Sequence, residues 1–244
     1  MDKYVDFANL YDRLMDDFDY EKWYQYIEDI FKKYRRPKNI LEMACGTGNL
    51  SYHLVNAGYD FTGFDLSEEM LSIAYNKLIG YENIKLLQQD MRDFNINQKF
   101  DAIIAICDSI NYITDSNDLL KTFKNVYKHL HEGGLFIFDI NSYYKLKNII
   151  GNNIFTEDRD DVFYIWQNYY DESKDICEFY LTFFESKDGE DYKRIDEVHM
   201  EKAYKTEEIK DLLSKAGFKN IDFYHGFTFG SVNEKSERIN IVAY

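Results

Sequence analysis

The sequence predicts an α/β fold: a doubly wound, seven-stranded, mostly parallel sheet with an N-terminal helical cap and a small antiparallel β insert after the fifth strand. Three observations predict it. From Asn39 onward, short apolar runs alternate with segments of helical periodicity, as crossover connections in a parallel sheet require. The first run leads directly into a Gly-x-Gly turn, Met43-Ala44-Cys45-Gly46-Thr47-Gly48-Asn49. Between residues 152 and 204 the alternation stops, and three strand-like runs follow one another across turn residues. A chain of 244 residues has room for one large domain with such an insert, and 45% hydrophobic content supplies its core.

The elements follow in order. Residues 6–35 carry a helical rhythm in Leu10, Leu14, Phe18, Trp23, Ile27, Ile30 and Phe31, with a break expected at Asp16, Asp17 and Asp19. Strands are expected at Ile40–Met43, Asp60–Phe64, Ile84–Leu87, Phe100–Ile106 and Leu135–Ile140. Ser67 reads as a helix N-cap, with Glu68 and Glu69 complementing the dipole in the first turn. Leu119, Leu120, Phe123, Val126, Tyr127 and Leu130 form one apolar stripe, with Gly133-Gly134 expected to stop that helix. The insert's strands are Val162–Tyr170, Ile176–Phe184 and Arg194–Tyr204, joined by Asp171-Glu172-Ser173 and Lys187-Asp188-Gly189. A helix from Thr206 closed by Gly217 and strands Asn220–Phe229 and Arg238–Val242 complete the sheet. The organisation is therefore a cap over 1–36, a core over 37–151 and 205–244, and an insert over 152–204.

Composition weighs against several functions. A net charge of −15 repels a phosphate backbone, which disfavours nucleic acid as a partner. The densest basic run, Lys32-Lys33-Tyr34-Arg35-Arg36, falls at a helix end, where cations suit the dipole. Cys45, Cys107 and Cys177 are too sparse for a disulfide framework and lack metal-ligand spacing, which suits a reducing compartment and no bound metal. The N-terminus lacks the basic flank and apolar stretch of a signal peptide. No apolar run approaches the roughly 18 residues a membrane span needs. A cytoplasmic location is expected.

Gly46 and Gly48 let the backbone turn sharply and bring main-chain N–H groups close to a ligand. Asp65, at the end of the second strand, stands where a carboxylate accepts both hydroxyls of an adenosine ribose. Asp90, after the third strand, is placed for an adenine edge. Three strand ends presenting such groups to one edge of a sheet form a nucleoside site by geometry. Glu42, just before the turn, would repel a pyrophosphate but suits a cationic methionyl amino group, which points to S-adenosylmethionine rather than a dinucleotide.

The stretch from Glu42 to Gly48 resembles the first motif of class I S-adenosylmethionine-dependent methyltransferases, with Ala44 in place of the commonest first Gly. Gly63-Phe64-Asp65-Leu66-Ser67, Gln89-Asp90-Met91 and Gly133-Gly134-Leu135-Phe136-Ile137-Phe138-Asp139 resemble later motifs of that Rossmann-like fold. Tyr11-Asp12-Arg13-Leu14-Met15 with Asp19-Tyr20-Glu21-Lys22-Trp23 resembles the cap of bacterial small-molecule N-methyltransferases, including nucleotide-sugar amine and glycine N-methyltransferases and a Gram-positive branch. The resemblance implies that Glu42 faces the methionyl amino group and that Ala44 and Gly46 give backbone contacts. It further implies that Asp65 holds the ribose with Leu66 and Met70 beside the adenine, and that Asp90 and Met91 meet the adenine edge. Cys107 would lie under the methionyl chain, and Tyr20 would bind the methionyl carboxylate.

Methyl transfer from a sulfonium is an in-line displacement, so alignment supplies much of the catalysis and a base matters only for a protonated nucleophile. Candidates around a small-molecule acceptor are Tyr11, Asp108 and His199 as catalytic groups, with Asn111, Trp166 and Arg238 as binding groups. His199 is either a proton acceptor or a surface strand histidine. Arg238 either holds an anionic acceptor group or forms an edge salt bridge. The insert is either a lid over the acceptor or a homodimer interface. Methylation of RNA or protein and a non-catalytic cofactor-binding role are the alternative functions.

Overall fold

The computed structural model describes residues 3–14, 18–159, 161–186 and 190–244. Two helices open the chain, α1 (Lys3–Leu14) and α2 (Tyr20–Lys33). Asp19 caps α2 by accepting the Lys22 N–H at 2.8 Å, so the expected break is real at that residue, while Asp16 and Asp17 lie outside the described residues. The alternating segment then forms β1 (Asn39–Met43), α3 (Asn49–Asn56), β2 (Asp60–Asp65), α4 (Glu68–Leu78), β3 (Ile84–Gln88) and β4 (Phe100–Ala105). A 3₁₀ turn (Ser109–Tyr112), α5 (Ser116–His129), β5 (Leu130–Asn141) and a π-helical turn (Lys145–Ile150) follow. After the insert come α6 (Thr206–Ala216), β10 (Ile221–His225) and β11 (Arg238–Ala243).

The main sheet has seven strands in the order β10-β11-β5-β4-β1-β2-β3. Strand β11 runs antiparallel to both of its neighbours, and the β5-β4-β1-β2-β3 pairings are parallel. Alternate residues of the central strands feed two separate cores, as the pleat dictates. Leu41, Met43, Ile103, Phe136 and Phe138 pack beneath the apolar stripes of α5 and α6. Ile40, Ala102, Ile104, Leu135 and Ile137 pack against Trp23, Ile27, Ile30 and Phe31 of α2 and Leu50 and Leu54 of α3.

Gly133-Gly134 does not stop α5. The helix ends at His129 because Leu130 turns extended and pairs with Phe100 of β4, and both glycines lie inside β5, Gly133 with φ +72°. Ser67 does cap α4, its hydroxyl accepting the Met70 N–H at 3.1 Å, and Gly217 closes α6 at φ +121°. The strand expected over 220–229 ends at His225, where Gly226 turns the chain at φ +51°.

The insert is a separate antiparallel sheet of four strands rather than three: β6 (Ile154–Arg159), β7 (Val162–Asp171), β8 (Ile176–Ser186) and β9 (Tyr192–Lys202). The turn expected at Lys187-Asp188-Gly189 lies outside the described residues. Register places Trp166, Phe179, His199 and Glu201 on one face of this sheet. Helix α1 packs on that face through Leu10, beside Val162, Phe183 and Ile195. Among the described residues, no helix is long and apolar enough to cross a membrane.

Candidate active site

The parallel sheet brings the ends of β1, β2 and β4 to one edge, and the chain leaves β1 and β4 by unusual turns. After β1, Ala44, Gly46 and Gly48 all have positive φ, at +50°, +53° and +79°. Only glycine takes this conformation without cost, so Ala44 carries strain there. After β4, Cys107 and Asp108 are both left-handed, at φ +58° and +53°. Two adjacent strained residues persist only where the surroundings over-determine them, which marks functional sites.

Asp65 ends β2 and fixes the loop across the gap. One of its oxygens accepts the Gly46 N–H at 2.8 Å and the other accepts the Ser67 N–H at 2.9 Å. Burial raises its carboxyl above the ordinary range, and the main-chain N–H groups oppose that rise. Glu42 is only 2% exposed and receives the Ser51 hydroxyl at 2.5 Å. Burial pushes its carboxyl up to about 8, against the pull of Ser51. A small cleft lies between Glu42, Ala44, Gly46, Cys107, Tyr11 and Tyr20. Nothing lies within 4 Å of where a Gly46 side chain would begin, so a ligand edge fits against that backbone.

The cap is bolted to this loop. Asp12 of α1 accepts the Thr47 hydroxyl at 2.6 Å, the Asn49 amide at 3.0 Å and Lys77 of α4 at 2.6 Å. Lys77 also donates to the Asn49 side chain at 2.5 Å. Tyr11 and Tyr20 are thereby held over the cleft. Burial, then its neighbours Tyr20, Cys107, Tyr112 and Asp108, raise the Tyr11 hydroxyl well above the phenol range. Burial and Cys107 raise that of Tyr20.

On the adenine side expected from the sequence, Leu66 is 64% exposed, and Met70 and Met91 are half-buried. Asp90 is engaged by its neighbour Arg92, which accounts for its lowered carboxyl. On the acceptor side expected from the sequence, His199 meets the Tyr112 ring edge-on at 5.9 Å, and burial lowers its imidazole, which favours the neutral form. Arg238 donates to Asp108 at 3.0 Å and to Asp139, with its guanidinium 5.7 Å over the Trp23 ring. Asn111 is fully buried and committed to main chain: it donates to the Asn141 and Lys202 carbonyls at 3.1 and 2.9 Å and accepts the Asn141 N–H at 3.0 Å. Trp166 packs between Phe155 and Phe179 inside the second sheet. The structure therefore brings Tyr11, Asp108 and His199 around Tyr112, and sets Trp166 and Asn111 behind that surface.

Sequence reasoning missed Asp12, Lys77, Asp139, Lys145 and Glu201. Asp139 was detectable as the lone charge in the apolar run Leu135–Ile140, and Glu201 as the residue two beyond His199 on one strand face.

A family model described as a methyltransferase domain matches residues 40–134. A protein of Geobacillus sp. (strain WCH70), named as a methyltransferase, is 37% identical over 98% of this chain and 98% of its own length. The crystal structure of an S-adenosylmethionine-dependent methyltransferase from Clostridium acetobutylicum superposes with a TM-score of 0.89, at 44% identity over 98% of each chain. The dTDP-3-amino-3,4,6-trideoxy-alpha-D-glucopyranose N,N-dimethyltransferase of Streptomyces venezuelae is 32% identical over 55% of this chain and 57% of its own. The positive-φ turn, the carboxylate across from it and this full-length likeness agree: the chain belongs to the S-adenosylmethionine-dependent methyltransferases.

Proposed function

We propose that the enzyme methylates an amine or hydroxyl of a small molecule by in-line displacement, in the cytoplasm. The observation that carries this reading is the position of the second sheet, which brings His199 to Tyr112, just beyond the strained Cys107-Asp108 turn. Such a wall encloses a small acceptor, whereas a polymer substrate would call for an open basic groove. The Streptomyces relative, an amino-sugar N,N-dimethyltransferase by name, supports the same class. The free thiols of Cys45, Cys107 and Cys177 support the location.

Within this reading Glu42, Ala44, Gly46, Gly48, Cys107 and Tyr20 hold the methionyl end of the cofactor. Asp65 holds the ribose, and Leu66, Met70, Asp90 and Met91 border the adenine. When bound, S-adenosylmethionine supplies an electrophilic methyl group. The chain's own part is alignment and exclusion of water: Tyr11 and Tyr20 cover the cleft, and the insert over 152–204 closes the acceptor side. Screening amine and hydroxy metabolites for S-adenosylhomocysteine formation tests the proposal. Product is expected with members of that panel. Formation with RNA or protein acceptors alone would overturn it.

A further inference from the structure

The acceptor side of the site gathers more carboxylates than cations, and the role assigned to them rests on the small-molecule reading of the enzyme. Five ionisable side chains converge there. Arg238 of β11 bridges Asp108 and Asp139. Glu201 reaches in from the inner face of β9, and Lys145 from the turn after β5. Asn141 stands between these last two, donating its amide to Glu201 at 2.8 Å and accepting Lys145 Nζ at 2.8 Å. When all are ionised, the carboxylates of Asp108, Asp139 and Glu201 face the two cations Arg238 and Lys145, which leaves the cluster one positive charge short.

Unmatched polar atoms mark the same place. Asp139 is fully buried, yet its Oδ1 has no hydrogen-bond partner among the described residues, and neither does the buried Ser109 hydroxyl. Native interiors rarely leave such atoms unsatisfied without a water or ligand to meet them. Asp108 and Asp139 are tied to Arg238. Glu201 Oε1, in contrast, makes no hydrogen bond among the described residues.

We infer that this cluster receives the acceptor as a cationic amine, and that Glu201 takes the proton its nitrogen must lose before attack. The N–H bond of the ammonium breaks, the proton passes to Glu201, and the electron pair stays on nitrogen. That pair then forms the N–CH₃ bond as the S–CH₃ bond breaks and its electrons return to sulfur. An ordinary carboxylate near about 4.3 is a poor match for an alkylammonium near about 10.4. Burial, with Asp108 next, holds Glu201 well above the carboxylate range and narrows that gap; Asn141, Lys145 and Arg238 oppose the rise. Tyr112 and Cys177 complete its titratable surroundings.

Glu201→Gln keeps the shape and an acceptor for Asn141. Wild type and variant are compared on aliphatic primary amines, which arrive protonated at neutral pH, and on aryl amines, which arrive neutral. The variant is expected to lose roughly 100- to 10,000-fold in aliphatic turnover and far less with aryl amines. Its kcat/KM should lose the inflection set by Glu201 and instead rise in proportion to the fraction of free amine. Calorimetry with S-adenosylhomocysteine present should show aliphatic-amine affinity falling at least tenfold, with the homocysteine product itself bound as before. Equal losses on both amine classes, or unchanged turnover and pH profile, would overturn the inference. If the variant does not fold, wild type on amines of graded basicity decides: rates strictly proportional to free amine refute a proton acceptor, and rates independent of it support one. Turnover of hydroxyl acceptors alone refutes the role of Glu201 but leaves the small-molecule reading standing. Turnover of RNA or protein alone removes that reading itself.

Discussion

Asp65 and Glu42 sit one strand apart, yet their surroundings ask different things of them. Both Asp65 oxygens bind main-chain N–H groups of the loops they face, which leaves each a further lone pair for a ribose hydroxyl. Asp65→Ala should weaken S-adenosylhomocysteine binding by about 1.5–3 kcal/mol, as measured by calorimetry, since the ribose would give up hydrogen bonds to a charged group. Unchanged affinity would remove Asp65 from the site. Glu42 is enclosed, and its carboxyl rises from an ordinary 4.5 to about 8. Across that window the folded chain keeps a proton that the unfolded chain has released, so rising pH favours unfolding. Glu42→Gln has no such proton, and its denaturant midpoint should gain on wild type steadily between those two values. Parallel curves would show that Glu42 is ionised in the fold. Glu42 and Asp65 were legible in the sequence because their type and place at strand ends imply a ligand. Asp139 and Glu201 left only a pattern to notice, with no role attached, because a charge on a strand reads as solvent-facing until the partner that buries it is known. Arg238 shows the reverse: the sequence left it free for an anionic acceptor or an edge ion pair, and two carboxylates, Asp139 of β5 and Asp108 in the turn after β4, hold it.

At the scale of elements, Gly48 is the N-cap of helix α3, which lies directly against α4. A Cβ on Gly48 would stand 3.0 Å from the Ala74 Cβ and 3.2 Å from its Cα, on a residue already at φ +79°. Gly48→Ala should cost about 1–3 kcal/mol of stability through backbone strain and crowding, and should weaken cofactor binding in the same variant. Thermal melts with and without S-adenosylhomocysteine check both effects; a stable variant with intact affinity would show that α3 can shift freely. The alternation of strand and helix was readable throughout the core because apolar period and turn residues agreed. It failed where they competed. Leu130 to Gly134 carries helix-stopping glycines, but main-sheet pairing with Phe100 draws the segment into β5. Strand β6, with Thr156, Glu157, Asp158 and Arg159, is an edge strand whose polar residues hide it from any hydrophobic pattern.

For the molecule as a whole, helix α1 joins parts that the sequence separates widely. Asp12 holds it to the glycine loop and α4, while Leu10 and the Arg13–Glu185 pair (2.8 Å) hold it to the second sheet. Opening the cleft beneath Tyr11 therefore disturbs the second sheet, the proposed wall of the acceptor space, as well. This predicts a kinetic consequence. If donor loading settles α1, the donor is expected to bind before the acceptor and the methylated product to leave before the spent donor, a compulsory order. S-adenosylhomocysteine should inhibit competitively against S-adenosylmethionine and noncompetitively against the acceptor in initial-rate studies. The methylated product should be noncompetitive against S-adenosylmethionine. A random-order pattern would mean that α1 yields to each ligand independently, whereas ordered inhibition makes one short helix the timekeeper of the catalytic cycle.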